Sequence, residues 1–137
     1  MKKFASTTRA GFTIIDSTVV VAVLAIVAIF AVPRIASDME RGKTSDAFTY
    51  LAQVESAQAR FHSDQGSFSP HVNRLDVRLG KPDNFRVSQI TSLDWTSEWQ
   101  LRLTRLGHDS GYGEYTVVFD QDGFSSIKSS VPAGLRP

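Results

Sequence analysis

Fourteen consecutive apolar residues, 19–32 (VVVAVLAIVAIFAV), dominate the pattern of the chain, and no later segment repeats so long a run. An uninterrupted run of this kind predicts a helix that is hydrophobic all round. Pro33 closes it and Gly42 follows nine residues later. Proline removes a backbone donor and glycine is a poor helix-interior residue, so both positions are expected to bend or loosen the helix. Beyond them, Thr44 or Ser45 is expected to cap a renewed helix, in which apolar residues recur at Ala47, Leu51, Val54, Ala57 or Gln58, and Phe61. Steps of three and four mark one buried stripe, with Asp46, Gln53, Glu55 and Arg60 on the opposite face. The breaker cluster Gln65-Gly66-Ser67-Phe68-Ser69-Pro70 places the end of this helix between His62 and Gly66.

Alternation with period two then takes over. Phe85-Arg86-Val87-Ser88, Trp99-Gln100-Leu101-Arg102-Leu103 and Tyr115-Thr116-Val117-Val118-Phe119 each predict a half-buried strand. Asp120-Gln121-Asp122-Gly123 supplies a turn before a last short strand over residues 124–127, giving an antiparallel hairpin. Residues 131–137, with Pro132, Gly134 and Pro137, predict a loose tail. The expected fold class is α+β: a long N-terminal helix whose amphipathic second half packs against a small antiparallel sheet. Burial of Ala47, Leu51, Val54 and Phe61 under that sheet is expected to let a chain starting near Gly42 fold without the apolar run.

Residues 12–32 contain one ionisable side chain, Asp16. As a helix they would be about 31 Å long, enough for a hydrocarbon core of about 30 Å. The residues before them carry Lys2, Lys3 and Arg9 and no acid, which predicts a single pass with the N-terminus cytoplasmic. A secretory signal fits poorly, because residues 31–37 lack a good small-x-small cleavage site. A plain signal anchor leaves Asp16 unexplained. A carboxylate inside the span costs on the order of 2.5–3.5 kcal/mol, so it marks a functional position that calls for a cationic partner.

Gly11-Phe12-Thr13-Ile14-Ile15-Asp16, followed by the apolar run and Pro33, resembles the amino terminus of type IV prepilins and type II secretion pseudopilins, commonly G-F-T-L-I-E before a long apolar helix. Gln65 to Pro70 is also similar to the N-G-x-Y-P segment that follows the helix in many of them. The resemblance implies a leader over residues 1–11, a transmembrane and polymerisation helix over 12–33, and a head over 34–137 whose amphipathic helix runs to about residue 65. It implies that an inner-membrane prepilin peptidase cuts between Gly11 and Phe12 and methylates the new amino group of Phe12. It implies that Asp16, in the place of the usual Glu, meets the amino-terminal amine of a neighbouring copy during assembly, and that the helix is partly melted between Pro33 and Gly42. The implied partners are the peptidase, the inner membrane, and copies of the chain or other pilin-like subunits in an extracytoplasmic filament. Pilus and pseudopilus both remain open: no Cys closes a C-terminal loop, and the Asp-Pro-Trp segment of major pseudopilins is absent.

Composition removes several other chemistries. There is no Cys, hence no disulfide and no thiolate zinc site. Fifteen Lys and Arg stand against fourteen Asp and Glu, and loss of the leader leaves 12 against 14, so no nucleic acid partner is expected on electrostatic grounds. His62-Ser63-Asp64 holds the residue types of a triad, but sequence neighbours do not converge as a triad requires. His62, His71 and His108 are scattered, without metal-ligand spacing. Asp120 and Asp122 match a calcium loop only in fragments, and a metal-free turn is the expectation. Residues 107–113 are glycine-rich without the spacing of a phosphate-binding loop. Trp95 and Trp99, four residues apart, predict one core and one surface indole. No catalytic residue and no cofactor is expected; the alternative to a filament subunit is a signal-anchored extracytoplasmic binding domain that does not polymerise.

Overall fold

A computed structural model describes residues 14–107 and 111–136. The apolar run and the stripe after it form one helix, α1 (Ile14–Gln65). Two compact units divide the chain, one ending at Ile35 and one beginning at Ala36. In the first, α1 is apolar and exposed on all sides, as an unbroken hydrophobic run without a facing element must be. Pro33 and Gly42 both lie within α1, and the restart expected at Thr44 or Ser45 does not occur. Thr44 is instead a buried mid-helix residue, because the stripe begins earlier than its apolar members. One interior glycine costs a helix about 1 kcal/mol, an amount readily offset by the buried face that continues on both sides of Gly42. The helix stops where expected. Gly66 takes a φ of +72°, and its N–H donates to the His62 carbonyl at 2.8 Å, the left-handed cap that glycine adopts without strain.

In the second unit four strands form one antiparallel sheet in the order β1 (Phe85–Val87), β2 (Gln100–Arg105), β3 (Thr116–Asp120) and β4 (Gly123–Phe124). The register sets Leu101 opposite Phe119 and Leu103 opposite Val117. These side chains, with Phe85 and Trp99, join Ala47, Tyr50, Leu51, Val54 and Ala57 of α1 in a single core. Phe48 packs edge-on to Phe119 with ring centres 5.7 Å apart and lies 4.9 Å from Phe124. Of the two indoles, Trp99 is in the core and Trp95 is half-buried against it.

Two expectations about the end of the chain are corrected. The last strand is two residues long, and Ile127 is 96% exposed. After Phe124 the outer edge of β3 is completed largely by serines. Ser125 N–H donates to the Val118 carbonyl at 2.9 Å, and the Ser129 and Ser130 hydroxyls accept the N–H groups of Val118 and Thr116 at 2.9 and 2.8 Å. Hydroxyls satisfy the ladder there without a strand. The tail is docked, not loose. Val131 and Leu135 are buried around a 3-10 turn (Ala133–Leu135), and Arg41 Nε donates to the Gly134 carbonyl at 3.2 Å.

At one end of the core lies a buried ion pair. Arg105 and Glu40 are both fully inaccessible; Arg105 Nε donates to Glu40 Oε1 at 2.7 Å and Nη2 to Oε2 at 2.9 Å. Such a bidentate pair is among the stronger hydrogen-bonded contacts available to a protein. The Tyr115 hydroxyl donates to Glu40 Oε1 at 2.8 Å, and Arg105 Nη1 donates to the carbonyls of Leu106 and Gly107. Thr44 Oγ1 sits 2.8 Å from the Tyr115 hydroxyl and 2.9 Å from the Glu40 carbonyl, with one proton to give. Burial is the main reason the Tyr115 hydroxyl is pushed up to about 12, so it remains a neutral donor. Among the described residues no buried side-chain nitrogen or oxygen lacks a partner. Because Glu40 belongs to this core, a chain starting at Gly42 would lack one partner of the buried pair.

Removing Arg105 leaves the buried Glu40 carboxylate with only Lys43, whose Nζ lies 3.7 Å from Oε2, as a cationic neighbour. Arg105→Met is expected to cost about 3–5 kcal/mol, while Glu40→Leu combined with Arg105→Met recovers most of it. Denaturant unfolding of the detergent-solubilised chain, read by Trp95 and Trp99 fluorescence, checks the order; equal loss in both variants would refute it. Leu135→Ala is expected to lower stability by about 2–5 kcal/mol in the same assay, whereas a loose tail predicts no change.

Candidate functional site

The surface that sets this chain apart is the first part of α1. Ile14 is 84% exposed, and Val21, Leu24, Ile29 and Phe30 are each more than half exposed. The helix is long and apolar enough to cross a membrane, and none of its most hydropathic stretch is buried. Each such side chain left in water forgoes about 1.5–3 kcal/mol of burial free energy. An apolar surface of this extent requires lipid or protein cover. Asp16 lies in the first turn of α1 and is exposed at the edge of this surface. Next to it, the Thr18 hydroxyl returns to the Ile15 carbonyl at 2.8 Å, which satisfies that polar group within the helix. Gly11 and Phe12, the expected cleavage and methylation positions, lie outside the described residues, as does all of the expected leader. Pro33 is exposed within α1. Gly42 is exposed too, and a Cβ added there would meet nothing within 4 Å, so packing alone does not require glycine.

The far end of α1 carries polar groups that hold a loop. His62 Nε2 lies 2.9 Å from the Thr96 carbonyl, and its ring stacks on Phe68 at 4.4 Å. The Ser63 hydroxyl donates back to the Ala59 carbonyl at 2.9 Å, so His62, Ser63 and Asp64 do not converge on a common point. Asp94 accepts the hydroxyl and N–H of Thr96 and the hydroxyl of Ser97, at 2.7, 3.0 and 2.9 Å. These bonds, the Thr96 hydroxyl first, hold its carboxyl below the ordinary carboxylate range. The loop is thereby fixed to itself and to the helix end, where Phe68 N–H donates to the Trp95 carbonyl at 2.6 Å.

The β3–β4 turn, whose two acids matched a calcium loop in part, is organised by a cation of the chain itself. Lys128 Nζ donates to Asp120 Oδ2 at 3.1 Å, Asp120 Oδ1 accepts the Asp122 N–H at 3.2 Å, and Asp122 accepts from the Gln121 amide at 3.1 Å. Gly123 has a φ of +93°, and a Cβ there would lie 3.5 Å from the Glu55 carboxylate. Burial, and then the charge of Asp120, raise the Glu55 carboxyl above its usual value. Among the described residues no group of three or more His, Asp or Glu is arranged to hold a metal ion. Residues 108–110 of the glycine-rich stretch, His108 included, lie outside the described residues.

The polar residues that sequence reasoning passed over, Glu40 and Arg105, each extend a pattern it had found. Glu40, Thr44, Ala47, Leu51, Val54 and Gln58 are spaced by four and three, so the buried stripe carried two steps back arrives at Glu40. Leu101, Leu103 and Arg105 share one face of β2, so the alternation carried two residues on arrives at Arg105. A charged residue at each place breaks the apolar pattern.

Over 80 residues, 57% of this chain, the sequence is 35% identical to the type IV major pilin protein PilA of Myxococcus xanthus (strain DK1622). The chain spans only 36% of the length of that curated relative. No family model matches the chain, and no solved structure matches it. Through more than half its length, then, the chain is similar to a type IV major pilin.

Proposed function

We propose that this chain is a structural subunit of a type IV pilus, made as a prepilin, held in the inner membrane by residues 12–33 with its N-terminus cytoplasmic, and polymerised outside it through that helix. The observation that carries this reading is the uncovered apolar surface of α1 on a chain that otherwise builds a complete core of its own. A helix of this kind is served by lipid before assembly and by the same helix of neighbouring copies afterwards. The likeness to a major pilin favours a pilus over a pseudopilus. The chain's partners in this reading are a prepilin peptidase, the membrane and further pilin-like subunits, and its role is structural, not catalytic.

In this reading the peptidase cuts after Gly11, where a side chain would obstruct approach to the backbone, and methylates Phe12. Methylation keeps the amine cationic. Asp16 of one copy meets that amine in another, and in the low dielectric of a helix bundle the two charges offset much of each other's desolvation. Aspartate reaches one methylene less far than the usual glutamate. Pro33 takes one hydrogen bond from α1 and Gly42 weakens it by propensity, and the residues between them that precede the buried Glu40 are the place where the helix loosens on assembly.

Gly11→Val is expected to block processing, so that mass spectrometry finds the amino terminus at Met1 in the variant and at a methylated Phe12 in the wild type. An identical intact terminus in both would defeat the prepilin reading in favour of a plain signal anchor. Asp16→Ala is expected to insert as well as the wild type or better, since removal of the carboxylate relieves about 2.5–3.5 kcal/mol, yet to yield at least tenfold fewer filaments by shearing and electron microscopy. Asp16→Glu should restore them. Normal filaments from Asp16→Ala would remove the pairing role.

A further inference from the structure

An open groove of about 690 Å³ lies beside α1 in the second unit, floored by Phe48, Phe119 and Leu135 and flanked by Arg41 and Arg136. Arg41 is within 3.7 Å of the exposed Asp38, a loose contact that leaves the flank basic. At the other end of the same unit, the 91–98 loop presents Leu93 with 97% of its surface exposed. This exposure is built in. Leu93 N–H donates to Glu98 Oε1 at 3.2 Å, the Ser92 hydroxyl donates to the Glu98 carbonyl at 2.7 Å, and Thr96 is tied to His62 of α1. Leu93 is thus an apolar tip on a braced loop, flanked by the carboxylates of Asp94 and Glu98.

We infer that Leu93 of one copy, with the acids beside it, seats in the Phe48–Phe119–Leu135 groove of a second copy between Arg41 and Arg136. Apolar tip meets apolar floor, and acidic rim meets basic rim, a complementarity that favours this pairing over like-with-like contacts. A copy does not fill its own groove: from residue 47 to residue 62, α1 advances about 22 Å at about 1.5 Å per residue. The contact therefore joins two different patches of neighbouring copies and leaves a free tip on one and a free groove on the other. A heterologous contact of this kind propagates. The parallel direction of the copies rests on the assembly proposed above, while the contact itself is between heads and does not involve Asp16 or the apolar run.

Because the chain has no cysteine, crosslinking tests this directly in the full-length protein expressed in its membrane. Thr91→Cys, which leaves Leu93 in place, and Ala52→Cys, both at exposed positions, are placed in one chain and treated with a short bismaleimide. The expected result is a ladder of dimers, trimers and longer species, whereas chains carrying either cysteine alone stay monomeric but give a mixed dimer when co-expressed. Arg41→Glu with Arg136→Glu should reduce the yield at least fivefold, and Arg→Lys at both positions should retain it. No adduct between positions 91 and 52, or dimers through position 91 alone, would overturn the inference. A closed dimer without longer species would overturn its propagating direction. Filaments scored in the same cells by electron microscopy judge the assembly reading separately: adducts without filaments uphold the head contact and defeat that reading, and filaments without adducts do the reverse.

Discussion

The pairing of Glu40 with Arg105 is the constraint around which the head is arranged. Two charges removed from water lose several kcal/mol of hydration each and regain it only through close geometry and full satisfaction of their remaining hydrogen-bonding groups. That demand positions three separate pieces of chain: the α1 turn that carries Glu40 and Thr44, the end of β2 that carries Arg105, and the start of β3, where Tyr115 donates to the same carboxylate. A hydrophobic contact is non-directional and tolerates small shifts of its partners. A bidentate ion pair with a tyrosine on one of its oxygens does not, so the register of helix against sheet has one solution.

The two parts of α1 solve opposite problems with one backbone geometry. From Ala36 onward the helix has a stripe, and the sheet covers it; before that it has apolar residues on every face and no cover of its own. The first part is a surface waiting for a partner, the second a scaffold already used. Function in such a molecule resides less in a pocket than in which surfaces are left incomplete.

Much of this was legible in the sequence because it rests on period and composition. The apolar run, the stripe through Ala47, Leu51 and Val54, and the alternation around Leu101, Leu103, Val117 and Phe119 all follow from which side chains water rejects. The helix end at Gly66 follows from the one residue type that accepts its φ. What was not legible depended on exceptions to those rules. Glu40 and Arg105 are charged residues on buried faces, recognisable only once each is known to have the other, and they lie 65 residues apart. The serine-completed edge of β3 has no strand pattern to detect, since Ser129 acts through its hydroxyl and Ser130 through both its hydroxyl and its N–H. Pro132 and Gly134 read as looseness, although Val131 and Leu135 between and beside them are core residues. For the proposed processing and assembly positions the signal is the opposite: Gly11, Phe12 and Asp16 stand out by resemblance and by one misplaced charge.

The serine edge also has a consequence for association. A subunit that assembles as proposed above is endangered by any second route of association, and an open strand edge offers one, because its unpaired N–H and C=O groups accept any extended chain. Here one border of the sheet is a three-residue strand and the other is a two-residue strand whose continuation is occupied by hydroxyls of the same molecule. Little backbone is left on which a foreign strand can grow. The head is thereby protected against cross-β aggregation, and the assembly proposed above is left to side-chain surfaces that can be specific about partner and direction.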